Sequence, residues 1–459
     1  MRRLLVALVL VSTPVLAQEL PADMRAAIDK AATEVLGKTG APSASVAVVR
    51  DGKLAYAHAY GLAQLQPAMA ATTQMRYSIG SISKQFTASA ILMLAQEGKL
   101  SLDDKVGRWL PELTRANDVT VRQILSMTSG YQDFWPQDYV MPGMLLPTTP
   151  QEIIDRWAKI PLDFEPGTKW QYSNTNYVVA GMIVEKASGM PLLEFLQQRV
   201  FGPLHMTSIT NTDIAPLGFD EPMRYLRYAL GPLRPAPKEG RGWMFAAGEL
   251  AMTASDLAQW DIGMINQTVM TPASYKQLET EVLLANGVGS HYGLGVSVSG
   301  GDHRLISHGG EVSGFTANNS VYPDDRAAVV VLTNLDATSA SADIASRVAK
   351  LLFATTDPAT PKATEQARKI FEGLQKGQID RSLFTSNANA YFSELALKDF
   401  ASSLGPLGVP QEFVQERQSL RGGMTLRSYR VKFPNKTLRA WTFTMPDGKI
   451  EQYMVAAVE

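Results

Sequence analysis

The chain has 459 residues, 45% of them hydrophobic and 19% charged, with a formal net charge of −1 and no cysteine. This is globular composition with enough chain to bury its own core, and it excludes extended disorder, disulfides, thiolate metal sites and a cysteine nucleophile. The charge balance gives no bulk field to draw in nucleic acid or an anionic membrane, and the length points to two domains.

The chain opens MRRLLVALVLVSTPVLAQ. Arg2 and Arg3 precede an apolar run from Leu4 to Val11, and Val15-Leu16-Ala17 offers a small-residue cleavage site before Gln18, the pattern of a signal peptide over residues 1–17. The run is short of the ~20 residues of a membrane span, so cleavage, secretion or a periplasmic location, and no stable membrane insertion are expected. Met24, Ile28, Ala31 and Val35 then recur at helical spacing, with Gly37 as the stop. Two alternating runs flank Asp51-Gly52, a strong hairpin signal. Ile82, Phe86, Ala90, Met93 and Leu94 share one face of a helix that ends at Gly98.

Residues 100–290 read as mostly helical, broken by Pro- and Gly-rich loops. Strands return as HRLISHGG, ANNSVYP and RAAVVVLTN, before a helix in SADIASRVAKLLFA. Strand text at both ends of the first 355 residues predicts an α+β fold. Its antiparallel sheet is flanked by helices and interrupted by a mostly helical insertion. A linker, TTDPATPKATEQ, separates this domain (18–355) from a small C-terminal α+β domain (356–459). There a helix in TEQARKIFEGLQKG and further helical text precede three strands, LRSYRVKF, LRAWTFTM and KIEQYMVAAV.

Three segments carry chemistry. In YSIGSISKQF, Ser81 stands at a helix start, where unpaired N–H groups favour developing negative charge, and Lys84 lies one turn on, on the same face. A lysine of pKa ~10.4 is a poor base unless burial or other cations lower it. Alone, the pattern also fits a helix cap followed by an exposed lysine. In FEPGTKWQYSNTNY, Tyr172 could act as a base and Asn174 could donate to a substrate carbonyl or hold Lys84. A lysine cation at 4 Å and an effective dielectric of ~20 contributes up to ~4 kcal/mol, enough to bring a tyrosine from ~10 towards ~7. In ISHGGEVSGF, a strand runs into His308-Gly309-Gly310, where the glycines admit close backbone approach. The N–H of Glu311 could then join that of Ser81 as an oxyanion hole.

Together these segments resemble the serine β-lactamase and penicillin-binding-protein superfamily, closest to its class C β-lactamase-related branch, which includes DD-peptidases, esterases and D-amino-acid peptidases. Ser81-Ile82-Ser83-Lys84 is similar to the first family motif, Tyr172-Ser173-Asn174 to the second, and His308-Gly309-Gly310 to the third, usually Lys-Thr-Gly and His-x-Gly in some members. The flanks ILSMTSGY, FGPLHM, FAAGELAMTASDLAQW and YGLG extend the likeness over about residues 23–355. The resemblance implies a serine hydrolase acting on an ester, amide or D-peptide bond of a small molecule or short peptide; with the leader it would be exported, and no cofactor or metal is expected. Ser81 would form the acyl-enzyme, Lys84 and Tyr172 would exchange the proton, and Asn174, His308, Gly309, Gly310 and Glu311 would bind substrate. The alternative is a non-hydrolytic penicillin-binding-like sensor of the same fold.

Two positions depart from the family pattern. Met127 stands where histidine usually precedes Thr-Ser-Gly, and His308 stands where many β-lactamases have lysine. A neutral histidine offers less charge to a substrate carboxylate, so weak β-lactamase activity is expected. A metallohydrolase finds no support: His58, His205, His291, His303 and His308 form no His-Glu-x-x-His, and surface or loop positions are expected for the first four.

Overall fold

The computed structural model describes residues 19–354 and 360–458, so the leader and the start of the linker lie outside the described residues. The chain divides into two compact units, 1–353 and 354–459.

In the first unit, α1 (Ala22–Thr39) is followed by β1 (Ser43–Arg50), β2 (Lys53–Leu65) and β3 (Ala68–Ala70). Gly37 does not stop α1. The helix runs to Thr39 and closes at Gly40, whose φ of 73° supplies the left-handed C-terminal residue. Asp51 and Gly52 both have positive φ, as a two-residue hairpin turn requires. Next come α2 (Ser83–Gln96), α3 (Asn174–Ser188) and α4 (Ala254–Asn266). The unit closes with β4 (Ser297–Ser299), β5 (Leu305–Val312), β6 (Phe315–Tyr322), β7 (Ala327–Thr333) and α5 (Ala340–Leu352).

The seven strands form one antiparallel sheet in the order β3-β2-β1-β7-β6-β5-β4. The two ends of the unit therefore meet: β1 pairs with β7, Val46 opposite Val331. All seven residues of β7 are buried, because both sheet faces are covered. Val46, Val48, Val329 and Val331 pack on Ile28 and Val35 of α1 and on Ile344 and Val348 of α5. Ala47, Val49, Val330 and Leu332 face the other way, into the larger core that contains α2 and α4. The inserted region is less helical than the sequence suggests. Its helices are interrupted by proline- and glycine-rich loops, and a three-stranded sheet joins Tyr77–Ser78, Leu250–Met252 and Thr210–Asn211.

The second unit contains α6 (Thr360–Leu374) and α7 (Glu394–Leu404), followed by a four-stranded antiparallel meander. Its strands are β8 (Glu412–Arg421), β9 (Met424–Lys432), β10 (Thr437–Thr444) and β11 (Ile450–Ala457). The last three match the predicted strands. β8 was not anticipated: EFVQERQSLR is rich in helix-favouring Glu, Gln and Arg, which an edge strand tolerates because most of its residues remain in water. Phe371, Phe413, Tyr429, Val431 and Tyr453 form this unit's own core.

Candidate active site

Ser81 occupies a single 3-10 turn, Gly80–Ile82, that leads directly into α2. Residues Ser83 to Leu94 of that helix are all buried, so the turn rests on the centre of the core. The end of β5 lies against it, backbone to backbone. A β-carbon at Gly310 would come 1.9 Å from the Ile79 carbonyl oxygen, and one at Gly80, whose φ is +50°, would come 2.8 Å from the Glu311 nitrogen. Glycine at both positions brings the Glu311 amide alongside the Ser81 turn. The strand does not end at Gly309-Gly310 but continues to Val312. Its partner β4 covers only Leu305–Ser307, leaving the rest of that edge without a strand among the described residues.

Lys84 is fully buried. Its Nζ lies 2.8 Å from each of three oxygens: Ser81 Oγ, Asn174 Oδ1 and the Ala247 carbonyl. Burial removes the hydration that stabilises an ammonium and pushes the Lys84 amine down to about 7; the Asp133 carboxylate opposes the fall. Lys84 Nζ sits 5.0 Å from the Tyr172 ring centroid and 5.6 Å from that of Tyr177.

Tyr172 does not show the lowered proton affinity expected from a lysine neighbour. Burial pushes its phenol up, a hydrogen bond with Ser81 pulls it back in part, and Asp133 pushes it further up. The expectation treated Lys84 as a full cation in a screened site. In the fold both groups are desolvated, and Lys84 gives up its charge near neutrality, so burial wins.

Sequence reasoning missed Asp133. Its Oδ1 accepts from the Asn174 backbone N–H at 2.9 Å and from Asn174 Nδ2 at 3.2 Å. An ionised carboxylate can only accept, so it turns the Asn174 amide with Nδ2 towards itself and Oδ1 towards Lys84. Burial raises the Asp133 carboxyl, while the Trp135 and Asn174 N–H groups and Lys84 hold it down. The available signal was an isolated acid in the aromatic stretch YQDFW, just after Thr-Ser-Gly. Met127 is buried nearby, and its Sδ accepts from the Ser173 N–H at 3.4 Å, so it supports the loop that carries Tyr172.

His308 is only 6% exposed. Its Nδ1 lies 2.5 Å from the Gly309 carbonyl oxygen and so must carry the proton; Nε2 then accepts from the Tyr292 hydroxyl at 2.9 Å. Burial, with the Lys84 charge second, pushes the ring down to about 4 against the Gly309 hydrogen bond, which leaves it neutral at pH 7. Its centroid stands 6.2 Å from that of Tyr172.

A cavity of about 460 Å³ opens above these groups. Ser81, Tyr172, Asn174 and Glu311 line it, with Trp135 and Tyr139 on one wall. His308, Gly309 and Gly310 do not line it; they form the backing for Tyr172 and for the Ser81 turn. Among the described residues no group of three or more His, Cys, Asp or Glu side chains is arranged to hold a metal. His58 stacks between Tyr56 and Tyr60, His291 is exposed beside Glu281, and His303 meets Asp325.

The sequence pattern of the Beta-lactamase family matches residues 28–353, the stretch that builds this sheet and cavity. The chain belongs to the Beta-lactamase family. Penicillin-binding protein 4* of Bacillus subtilis (strain 168) is 29% identical over 322 residues, covering 66% of this chain and 70% of that protein. A D-aminopeptidase of Brucella anthropi is 28% identical over 300 residues, 64% of this chain, and the match spans 56% of the relative's own length. A D-stereospecific amidohydrolase from Streptomyces superposes with a TM-score of 0.62 at 26% identity, covering 72% of this chain and 99% of that one. An octameric penicillin-binding protein homologue from Pyrococcus abyssi superposes at 0.63 over 95% of this chain and 96% of its own; at 22% identity that likeness concerns the fold. These Beta-lactamase family relatives include amide hydrolases, which supports a serine hydrolase at family level. Among the described residues no helix is long and apolar enough to cross a membrane.

Proposed function

We propose that the chain is an exported serine hydrolase that cleaves amide or ester bonds of D-amino acids or short D-peptides through an acyl-enzyme on Ser81. The observation that carries the reading is the Lys84 amine, buried and brought near neutrality, 2.8 Å from the Ser81 hydroxyl. A free amine there accepts the Ser81 proton as Oγ attacks the substrate carbonyl. The Ser81 and Glu311 N–H groups receive the developing oxyanion. Tyr172 keeps its own proton, so its hydroxyl, hydrogen-bonded with Ser81, serves as donor to the leaving group and is recharged from the Lys84 ammonium. Water then attacks the acyl carbon and gives a proton to the Lys84 amine; the bond from the acyl carbon to Ser81 Oγ breaks, and that proton passes to Oγ, which releases the acid and restores the serine. The relatives named D-aminopeptidase and D-stereospecific amidohydrolase support the choice of bond.

Incubation with an activated ester, followed by intact mass and turnover measurements, tests the reading. Acylation at Ser81 with turnover, both lost in Ser81→Ala, is expected. Acylation without turnover would instead make the protein a sensor, and unchanged activity in Ser81→Ala would end the proposal. Export predicts that the mature protein recovered outside the cytoplasm begins near Gln18.

A further inference from the structure

The charge of the cavity wall bears on which substrates can enter. Asp133, Asp138, Glu311 and Asp336 all line it, and among the described residues no lysine, arginine or histidine does. Asp133 is engaged with Asn174 and serves the Lys84 network. The other three stand at the opening. Asp138 and Glu311 are exposed and Asp336 is half-exposed. Burial raises the proton affinity of Glu311, the Ala337 N–H opposes the rise, and both aspartates lie close enough to add to it by repulsion. Glu311 accepts from the Ala337 N–H at 2.8 Å and Asp336 from the Gly314 N–H at 3.2 Å, which fixes where each carboxylate stands. No ion pair among the described residues takes up any of the three. The buried Lys84 amine lies behind Ser81 and Asn174, and Arg224 and Lys238 line an adjoining small recess, which shares Met244, Val312 and Ser313 with the cavity and holds Glu239 and Asp213 beside them. Trp135 and Tyr139 supply an apolar wall.

We infer that the cavity selects substrates bearing an ammonium group beside an apolar or aromatic side chain, and turns away substrates bearing a carboxylate. This rests on the serine hydrolase reading above and adds the charge class of its substrate. An ammonium entering the opening meets three carboxylates with no cation on the lining beside them, whereas a carboxylate is repelled there and finds no cationic partner on the wall. The three acids are specificity determinants, placed at the opening and away from the Ser81–Lys84 contact.

The test uses the full-length mature protein and three methyl esters of phenylalanine, in both enantiomers: the free amine, the N-acetyl compound and the N-succinyl compound. They present a cation, a neutral group and an anion beside the same reacting bond. At low ionic strength kcat/KM is expected to fall by about tenfold from amine to acetyl and again from acetyl to succinyl, with both ratios shrinking in salt. The paired substitutions Asp138→Asn and Asp336→Asn should reduce the amine-to-succinyl ratio by at least about tenfold. Each single variant should give part of that loss. Turnover of all three esters at equal rates, or preference for the succinyl ester, would overturn this inference while leaving the serine hydrolase reading intact. Failure of Ser81 to turn over any of the three esters, the free amine included, would overturn both.

Discussion

Lys84→Met removes a buried amine whose proton affinity falls from 10.5 in an exposed lysine to about 7 in the fold. Between those values the unfolded chain holds a proton that the folded protein has released. The unfolded state therefore binds more protons, and the stability of the parent rises with pH. The penalty is fully present below about pH 7, shrinks as pH rises, and is gone above the unfolded value of 10.5. At ~1.36 kcal/mol per pKa unit, the interval from 10.5 to about 7 corresponds to roughly 5 kcal/mol. Methionine carries no such dependence. The variant also loses the contacts to Ser81, Asn174 and Ala247, a loss expected to be nearly constant with pH. The stability of the parent relative to the variant should thus increase by about 3–4 kcal/mol between pH 7 and pH 10. Urea unfolding at four pH values, followed by tryptophan fluorescence, reads this directly. Six of the seven tryptophans, all but Trp441, lie in the catalytic unit. A difference that stays within about 1 kcal/mol across the range would refute a lysine depressed by burial.

Asp133→Asn removes the charge that props up the Lys84 ammonium, so the acidic limb of kcat/KM, expected near 7 in the parent, should move down by about one pH unit; a limb that stays or rises would contradict the role given to Asp133. Gly310→Ala sets a β-carbon 1.9 Å from the backbone oxygen of Ile79 and should destabilise by about 1–3 kcal/mol, with a fall in kcat of about a hundredfold as the Glu311 amide shifts, seen by urea unfolding and steady-state kinetics together. His308→Lys places a second cation in the enclosure of Lys84 and should lower both the melting temperature and the acidic limb. A stable variant with a new preference for carboxylates would show that position 308 reads the substrate directly.

What could be read from the chain depended on how local the cause was. The Asp51-Gly52 turn is dictated by two residues that accept positive φ, and the continuous apolar run of β7 by burial on both sides. Both are visible in a short window. The mistakes arose where distance or environment decided. Gly37 and Gly40 are equivalent as letters, and only the hydrogen bond from Gly40 to the Leu36 carbonyl selects the stop. β8 has helical composition, and its nine-residue pairing with β9 overrides it. Ser81, Lys84, Tyr172 and Asn174 are recognisable as motifs. Asp133 acquires meaning only by touching Asn174, 41 residues away. The direction of the Tyr172 perturbation followed from desolvation, which no spacing pattern records.

The three oxygens around Lys84 Nζ are not equivalent. As an ammonium the group has a hydrogen for each. As a free amine it has two hydrogens and one lone pair, and the carbonyls of Asn174 and Ala247 can only receive. They claim both hydrogens, and the lone pair is left aimed at the one neighbour with a hydrogen to give, the hydroxyl of Ser81. Loss of a proton thus reverses the polarity of a single contact out of three without moving a heavy atom. The amine needs no rotamer search to find its target, because two carbonyl groups have already oriented it.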